Sequence, residues 1–212
     1  MFSFDTVKDF DKHIASSIPA YDTLFETIVT ISDYFLVPET TFIDIGCSTG
    51  KLIETISHDG VKIGIDTSHN ILPRNYENKT AEYFHYDATK YWGYENCSLI
   101  TAIFTLQFID SIKRQGLLDR IYQGLLPNGA FIWAEKVYAE SGKIQDILTS
   151  TLHQHKRPYF EATEILDKDA DLRKLMRLNT SSQNQQMAYD AGFKQGELIW
   201  KSLNFEAWLY IK

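Results

Sequence analysis

Asp44-Ile45-Gly46-Cys47-Ser48-Thr49-Gly50 follows the β-branched apolar run that begins at Thr41 and precedes Lys51-Leu52-Ile53-Glu54, so a glycine turn stands between a strand and a helix. Glycine at 46 lets the main chain approach a ligand closely, and Gly50 lets the helix pack closely on the strand. Ser48 and Thr49 are residue types that cap a helix N-terminus. Asp66 comes 20 residues after Gly46, at the end of the next strand candidate. A carboxylate there can accept hydrogen bonds from ribose hydroxyls. Asp87, followed by the small Ala88, closes a third strand candidate, where it can meet an adenine amino group.

Three acids at successive strand ends indicate a nucleoside ligand. Lys51 is followed by Leu52, so the Gly-Lys-Ser/Thr order of a phosphate-binding loop is absent and no hydroxyl is placed for Mg²⁺. Asp44 would repel a pyrophosphate and suits a cationic ligand with an α-amino group. S-adenosylmethionine carries that amine and a sulfonium. No metal-ligating set is read from the sequence.

Outward from the turn, short strand-like runs alternate with segments of helical spacing, the pattern of an α/β fold with a parallel sheet. The strands are expected at Thr41 to Ile45, Val61 to Ile65, Ala81 to His85, Leu99 to Phe104 and Ala130 to Ala134. Helices are expected at Lys51 to Ser57, Ile109 to Leu125, Ser141 to His155, Ala162 to Leu178 and Ser181 to Ala191, with breaks at Asn128-Gly129 and Ala191-Gly192. Glu197 to Leu203 and Phe205 to Ile211 are separated by Asn204 alone, which fits a terminal antiparallel pair and leaves no room for a crossover. Phe10 to Leu36 reads as helix broken at Pro19, and residues 1–38 are expected to lie over the pocket.

At 212 residues and 44% hydrophobic, the chain supports one substantial core, and a single domain over 1–212 is expected. Two cysteines build no disulfide framework, no basic start and apolar core of a signal peptide is read, and no apolar run approaches a membrane span. The cytoplasm is the expected location. A net charge of −7 disfavours direct nucleic-acid binding. The one basic patch, His153 to Arg157, reads as a solvated helix end. Of the tryptophans Trp92, Trp133, Trp200 and Trp208, the second and fourth sit in strand runs and are assigned to the core.

Several segments resemble one family, the carboxy-S-adenosylmethionine synthases: Ile18-Pro19-Ala20-Tyr21, Asp44 to Gly50, Phe104-Thr105-Leu106-Gln107-Phe108 and Leu117 to Leu125. Glu135-Lys136, His155-Lys156-Arg157 and Asn204-Phe205 continue the likeness. It implies a Rossmann-like class I methyltransferase fold, with a seven-stranded mostly parallel sheet, an antiparallel terminal strand and helices on both faces. It also implies a homodimer, S-adenosylmethionine or its carboxylated form as cofactor, prephenate as carboxyl donor, and service to tRNA wobble-uridine modification. By resemblance, Tyr21, Gly46, Cys47, Ser48, Asp66, Thr67, Asp87 and Ala88 fall on ligand-holding positions.

Two positions depart from the family. Ile103 replaces an asparagine that meets the ligand, and Asp169 stands where an arginine grips the extra carboxylate. Exchanging a bidentate donor for a like charge turns attraction into repulsion, unless Arg173 or Lys168 substitutes through a shift of one helical turn. Three readings follow. The first is a transferase using S-adenosylmethionine as group donor on a small-molecule substrate, with Tyr21, Arg157 and Tyr159 as candidates to line the acceptor pocket and no catalytic residue assigned. The others are retained carboxy-S-adenosylmethionine synthesis and a non-catalytic binding module.

Overall fold

The computed structural model describes residues 9–73, 80–91 and 93–212. Seven strands form one sheet in the order β3-β2-β1-β4-β5-β7-β6. They are β1 (Thr41–Ile45), β2 (Val61–Asp66), β3 (Glu82–His85), β4 (Cys97–Ile103), β5 (Leu125–Lys136), β6 (Gln195–Ser202) and β7 (Phe205–Ile211). The pairings among β1 to β5 are parallel, whereas β7 runs antiparallel to both β5 and β6. The terminal hairpin is therefore present, but its last strand is inserted between β5 and β6 and does not form the edge.

The helices are α1 (Phe10–Ser17), α2 (Tyr21–Ser32), α3 (Lys51–Thr55), α4 (Ser111–Gly124), α5 (Gly142–Lys156), α6 (Ala162–Leu175) and α7 (Ser181–Ala191). The break foreseen at Pro19 separates α1 from α2, with Ala20 left-handed at φ 58°. The side chain of Thr180 caps α7 and Gln183 returns the bond. Alternation along the central strands builds two cores. Phe42, Leu99, Ala130 and Ile132 face Leu24, Ile28 and Ile53 on one side of the sheet. Ile43, Ile45, Ile100 and Phe131 face Leu117, Leu118 and Ile121 on the other. Helices thus cover both faces, as a parallel sheet requires.

Two local expectations are corrected. Asn128-Gly129 does not end an element. It lies inside β5, where the pairing with β4 shifts register and Asn128 takes φ 64°, so the turn-forming pair makes a bulge. Ser48 and Thr49 do not cap α3; its N-cap is Gly50 at φ 76°, with no side-chain cap. Trp133 and Trp200 are buried and Trp208 packs on the second core, whereas Trp92 lies outside the described residues. Among the described residues, no helix is long and apolar enough to cross a membrane.

The short α3 is held from outside itself. Lys62 is buried on β2, and its Nζ donates to the carbonyl oxygens of Ile53 and Ile56 at 2.9 and 3.0 Å, satisfying the helix's C-terminal acceptors. Lys62→Met keeps the aliphatic stem and removes the donor. We expect a loss of about 1–3 kcal/mol in denaturant unfolding, the cost of orphaned buried acceptors.

Candidate functional site

The strand order reverses between β1 and β4, and open α/β sheets bind ligands outside the carboxyl ends of the strands at such a point. A cavity of about 830 Å³ lies there. Every position singled out as cofactor-binding in the sequence lines it: Tyr21, Asp44, Gly46, Cys47, Ser48, Asp66, Thr67, Asp87, Ala88 and Ile103. α1 and α2 contribute His13, Ile14, Tyr21 and Phe25 to the lining; residues 1–8 lie outside the described part. Arg157 and Tyr159, the candidates for acceptor contacts, are exposed and do not line the cavity.

The corner after β1 is fixed from both neighbouring strands. On the β2 side, the amides of Gly46 and Cys47 donate to Ile65 O at 2.7 and 3.2 Å, and Ser48 N donates to Asp66 Oδ2 at 2.9 Å. The other oxygen of Asp66 accepts from Ser68 N at 2.8 Å. On the β4 side, Thr105 Oγ1 donates to Ile45 O at 3.0 Å. A Cβ on Gly46 would come within 2.0 Å of that hydroxyl, and Gly46 itself sits at φ 74°. The neighbouring threonine and a left-handed backbone are physical reasons for a glycine here whether or not a ligand approaches it. Likewise, a Cβ on Gly50 would meet the Tyr83 hydroxyl at 2.4 Å.

Asp87 also has a structural duty. Its Oδ1 accepts from Thr89 N at 2.9 Å and from Thr89 Oγ1 at 2.7 Å, capping the 3-10 turn Ala88–Lys90. Asp44 lies beneath the glycine corner at 3% exposure, accepting from Thr101 Oγ1 of β4 at 2.6 Å. Burial raises its carboxyl to about 7, the Thr101 bond opposes this, and the charge of Asp66 adds to it. Asp44 therefore holds its proton up to near neutrality while nothing cationic is beside it. Burial, then the charges of Asp44 and Asp66, pushes the Cys47 thiol well above its usual range, so the residue is not a poised thiolate.

Along the carboxyl edge of the sheet, the lining changes character. Asp87, Asp66 and Asp44 come from β3, β2 and β1; Ile103 ends β4; Lys136 ends β5. Lys156 of α5 and Lys168 of α6 join Lys136 in the lining. Sequence reasoning had placed Lys156 in a solvated patch, yet it is 9% exposed, because α5 ends over the cavity. Asp169 does not line the cavity. Its Oδ2 accepts from Arg173 Nε at 2.8 Å and lies 3.9 Å from His153 Nε2. Of the two cations named as substitutes, Lys168 reaches the cavity and the exposed Arg173 does not.

These residues fit an adenosyl amino acid. The buried Ser48 hydroxyl has no protein partner, an orphan of the kind a ligand satisfies. Asp44 offers its charge to an ammonium group, and the apolar walls of Ile14, Ile18, Leu24 and Phe104 exclude water.

No protein-family model matches the chain. Among solved structures it resembles a putative O-methyltransferase from Nostoc punctiforme, with TM-score 0.64 and 15% identity over 92% of this chain and 57% of that one. It also resembles magnesium protoporphyrin IX methyltransferase from Synechocystis with bound SAH, with TM-score 0.59 and 12% identity over 91% and 83% of the two chains. Human N-acetylserotonin methyltransferase in complex with SAM gives TM-score 0.59 and 16% identity over 91% and 52%. The fold is therefore the Rossmann-like class I methyltransferase fold. Carboxy-S-adenosyl-L-methionine synthase from Escherichia coli strain K12 / DH10B is 31% identical over 96% of this chain and 87% of its own length. The same-named protein of Hydrogenovibrio crunogenus is 31% identical over 100% and 89%. The chain belongs to the carboxy-S-adenosyl-L-methionine synthase family, transferases dependent on S-adenosylmethionine.

The folded-state carboxyl of Asp44 titrates near 7 against about 3.9 when unfolded, so the native state binds more protons between these values and loses stability as pH rises through them. Asp44→Asn removes that titration. Wild type should decline relative to the variant between about pH 4.5 and pH 8 by a few kcal/mol, since each pH unit between the two titration midpoints costs about 1.4 kcal/mol. Urea unfolding of both proteins across that range checks it.

Proposed function

We propose that the chain holds S-adenosylmethionine in this cavity and transfers a carboxyl group from a small carboxylic donor to the cofactor's methyl carbon, the donor's C–C bond breaking as the new one forms and the methyl proton passing to the decarboxylated donor. The observation that carries this reading is the order of charge along the sheet edge, acids on β3, β2 and β1 and a lysine on β5, with the uncharged end of β4 between. In this reading Asp66 meets the ribose, Asp87 and Ala88 the adenine, and Asp44, Gly46 and Ser48 the amino-acid part. Tyr21, Cys47 and Thr67 complete the wall and Ile103 faces the sulfur. When bound, S-adenosylmethionine supplies a sulfonium that makes the adjacent methyl both acidic and electrophilic. The protein's work is alignment and exclusion of water.

Two observations support carboxyl transfer. Asp169 is drawn away from the cavity by Arg173, and Lys168 on the same helix lines it. A second reading, plain methyl transfer from S-adenosylmethionine to another small molecule, is favoured by Ile103, which offers no hydrogen bond at the end of β4. The proposal extends to a single domain over residues 1–212, a cytoplasmic setting, a supply role for wobble-uridine modification without direct nucleic-acid contact, and a homodimer. The exposed Ile144 and Ile147 of α5 and Leu166 of α6 are apolar groups that such a dimer could cover.

Incubation of the purified protein with S-adenosylmethionine and prephenate, followed by mass spectrometry, should show the cofactor gaining one carboxylate. Unchanged cofactor with prephenate, but demethylated cofactor in the presence of an acceptor, would transfer the assignment to methyl transfer.

A further inference from the structure

We infer that Gln107 is a positioning residue for group transfer: it holds the chain leaving β4 in a strained turn at Phe104, and that turn sets the aromatic wall beside the reacting end of the cofactor. The inference rests on the reading of the cavity as a carboxyl-transfer site for S-adenosylmethionine.

The chain turns sharply where β4 ends. Phe104 follows Ile103 and takes φ 56°, a left-handed conformation that a residue with a bulky side chain keeps only where its surroundings impose it. Three contacts do so. Its amide donates to Ala134 O of β5 at 2.8 Å, its ring stands edge-on to Phe205 with centres 5.7 Å apart, and its carbonyl oxygen accepts from Gln107 Nε2 at 3.3 Å. Gln107 is buried, and the other end of its amide ties down β5, where Oε1 accepts from Lys136 N at 2.9 Å. The main-chain oxygen of Gln107 accepts from Arg177 N, beyond α6, at 2.7 Å and from Arg114 Nη2 of α4 at 3.3 Å. One residue thus joins the exit of β4, the end of β5, α4 and the link between α6 and α7.

A buried acid and a buried base grip the same turn. Glu135 of β5 accepts from the amides of Leu106 and Gln107, while Arg114 donates Nε to Ile109 O at 2.9 Å. Burial pushes the Glu135 carboxyl up to about 8, opposed by the Trp133 indole, the charge of Arg114 and those two amides. Such a pair adds little stability, and its bonds to the turn are with main-chain atoms, so what it fixes is the path of the chain from Phe104 to Ile109. Ile103, Phe104, Thr105, Gln107 and Phe108 line the cavity, as does Phe205. The acids assigned to the nucleoside and amino-acid parts lie on β1 to β3, which leaves the turn after β4 to bound the sulfur end. A misplacement of 1 Å there costs about a hundredfold in rate.

Gln107→Met keeps the length of the side chain and removes both of its amide bonds. In the ligand-free full chain, hydrogen exchange should quicken by about tenfold or more at the Phe104 amide, although that amide keeps its own acceptor, and should stay as in wild type at Gly46 and Cys47. With S-adenosylmethionine and prephenate, kcat should fall by about tenfold or more while KM for S-adenosylmethionine stays within about threefold. F104G, which suits the left-handed backbone and removes the ring, should lose kcat comparably, and the double variant should lose no more than about twofold beyond F104G. Cooperative urea unfolding reports that the variants fold. Wild-type protection of Phe104 in Q107M, or losses in kcat that multiply in the double variant, would overturn the inference alone. So would F104G at wild-type kcat, a result that stands even where Q107M does not fold. A wild-type protein that yields no carboxylated cofactor would overturn the carboxyl-transfer reading and the inference with it.

Discussion

The corner after β1 is locked between two neighbours, and the cavity exists because of that lock. Asp66 at the end of β2 takes the amide of Ser48, while Thr105 beyond β4 occupies the space that a side chain at position 46 would need. β1 lies between β2 and β4 in the sheet. The hydrogen bond from Thr105 to Ile45 O and those from Gly46 and Cys47 to Ile65 O provide ties on both sides. The orphan hydroxyl of Ser48, at φ 52°, is a consequence of the same geometry: its backbone is committed to Asp66, and its side chain is left in the cavity wall.

Stability is given up at this site in two places. Asp44 is buried where its ionised form is disfavoured, and Lys156 and Lys168 are buried where their protonated forms are disfavoured. The pH dependences differ. The acid weakens the native state as pH rises toward 7. The lysines bind fewer protons folded than unfolded, so they weaken it increasingly as pH falls from about 10 through their depressed values. Near neutrality both contributions are present, and ligands of complementary charge would relieve both. A core of apolar residues at these positions would be more stable and would bind nothing.

The central fold was legible because its determinants are local. β1, α7 and β7 fall on the residues read from periodicity, and the capping box of Thr180 and Gln183 at the start of α7 is a local feature of the same kind. Asn128-Gly129 misled because turn chemistry also makes a bulge, and only the partner strand decides between them. The acids at strand tips that line one end of the cavity were readable from the sequence. The lysine end was not, because Lys136, Lys156 and Lys168 are far apart in sequence and meet only through the packing of α5 and α6 over the end of β5. Asp169 looked like a repulsive intruder since helical spacing alone does not say which face turns inward. Its side chain is bonded to Arg173, one turn along α6, and stays out of the lining, although its charge still acts on Lys136 and Lys156.

Ile103 gains a physical meaning from this arrangement. It stands on β4 between the acids of β1, β2 and β3 and the lysine of β5, and because Asp44 is level with Thr101 and Ile132, Lys136 lies further along β5 as well as two strands across. A polar residue midway would raise the local dielectric and offer each charge a competing partner; an isoleucine does neither. The apolar spacer keeps the acids and the lysine of the lining apart along the sheet edge.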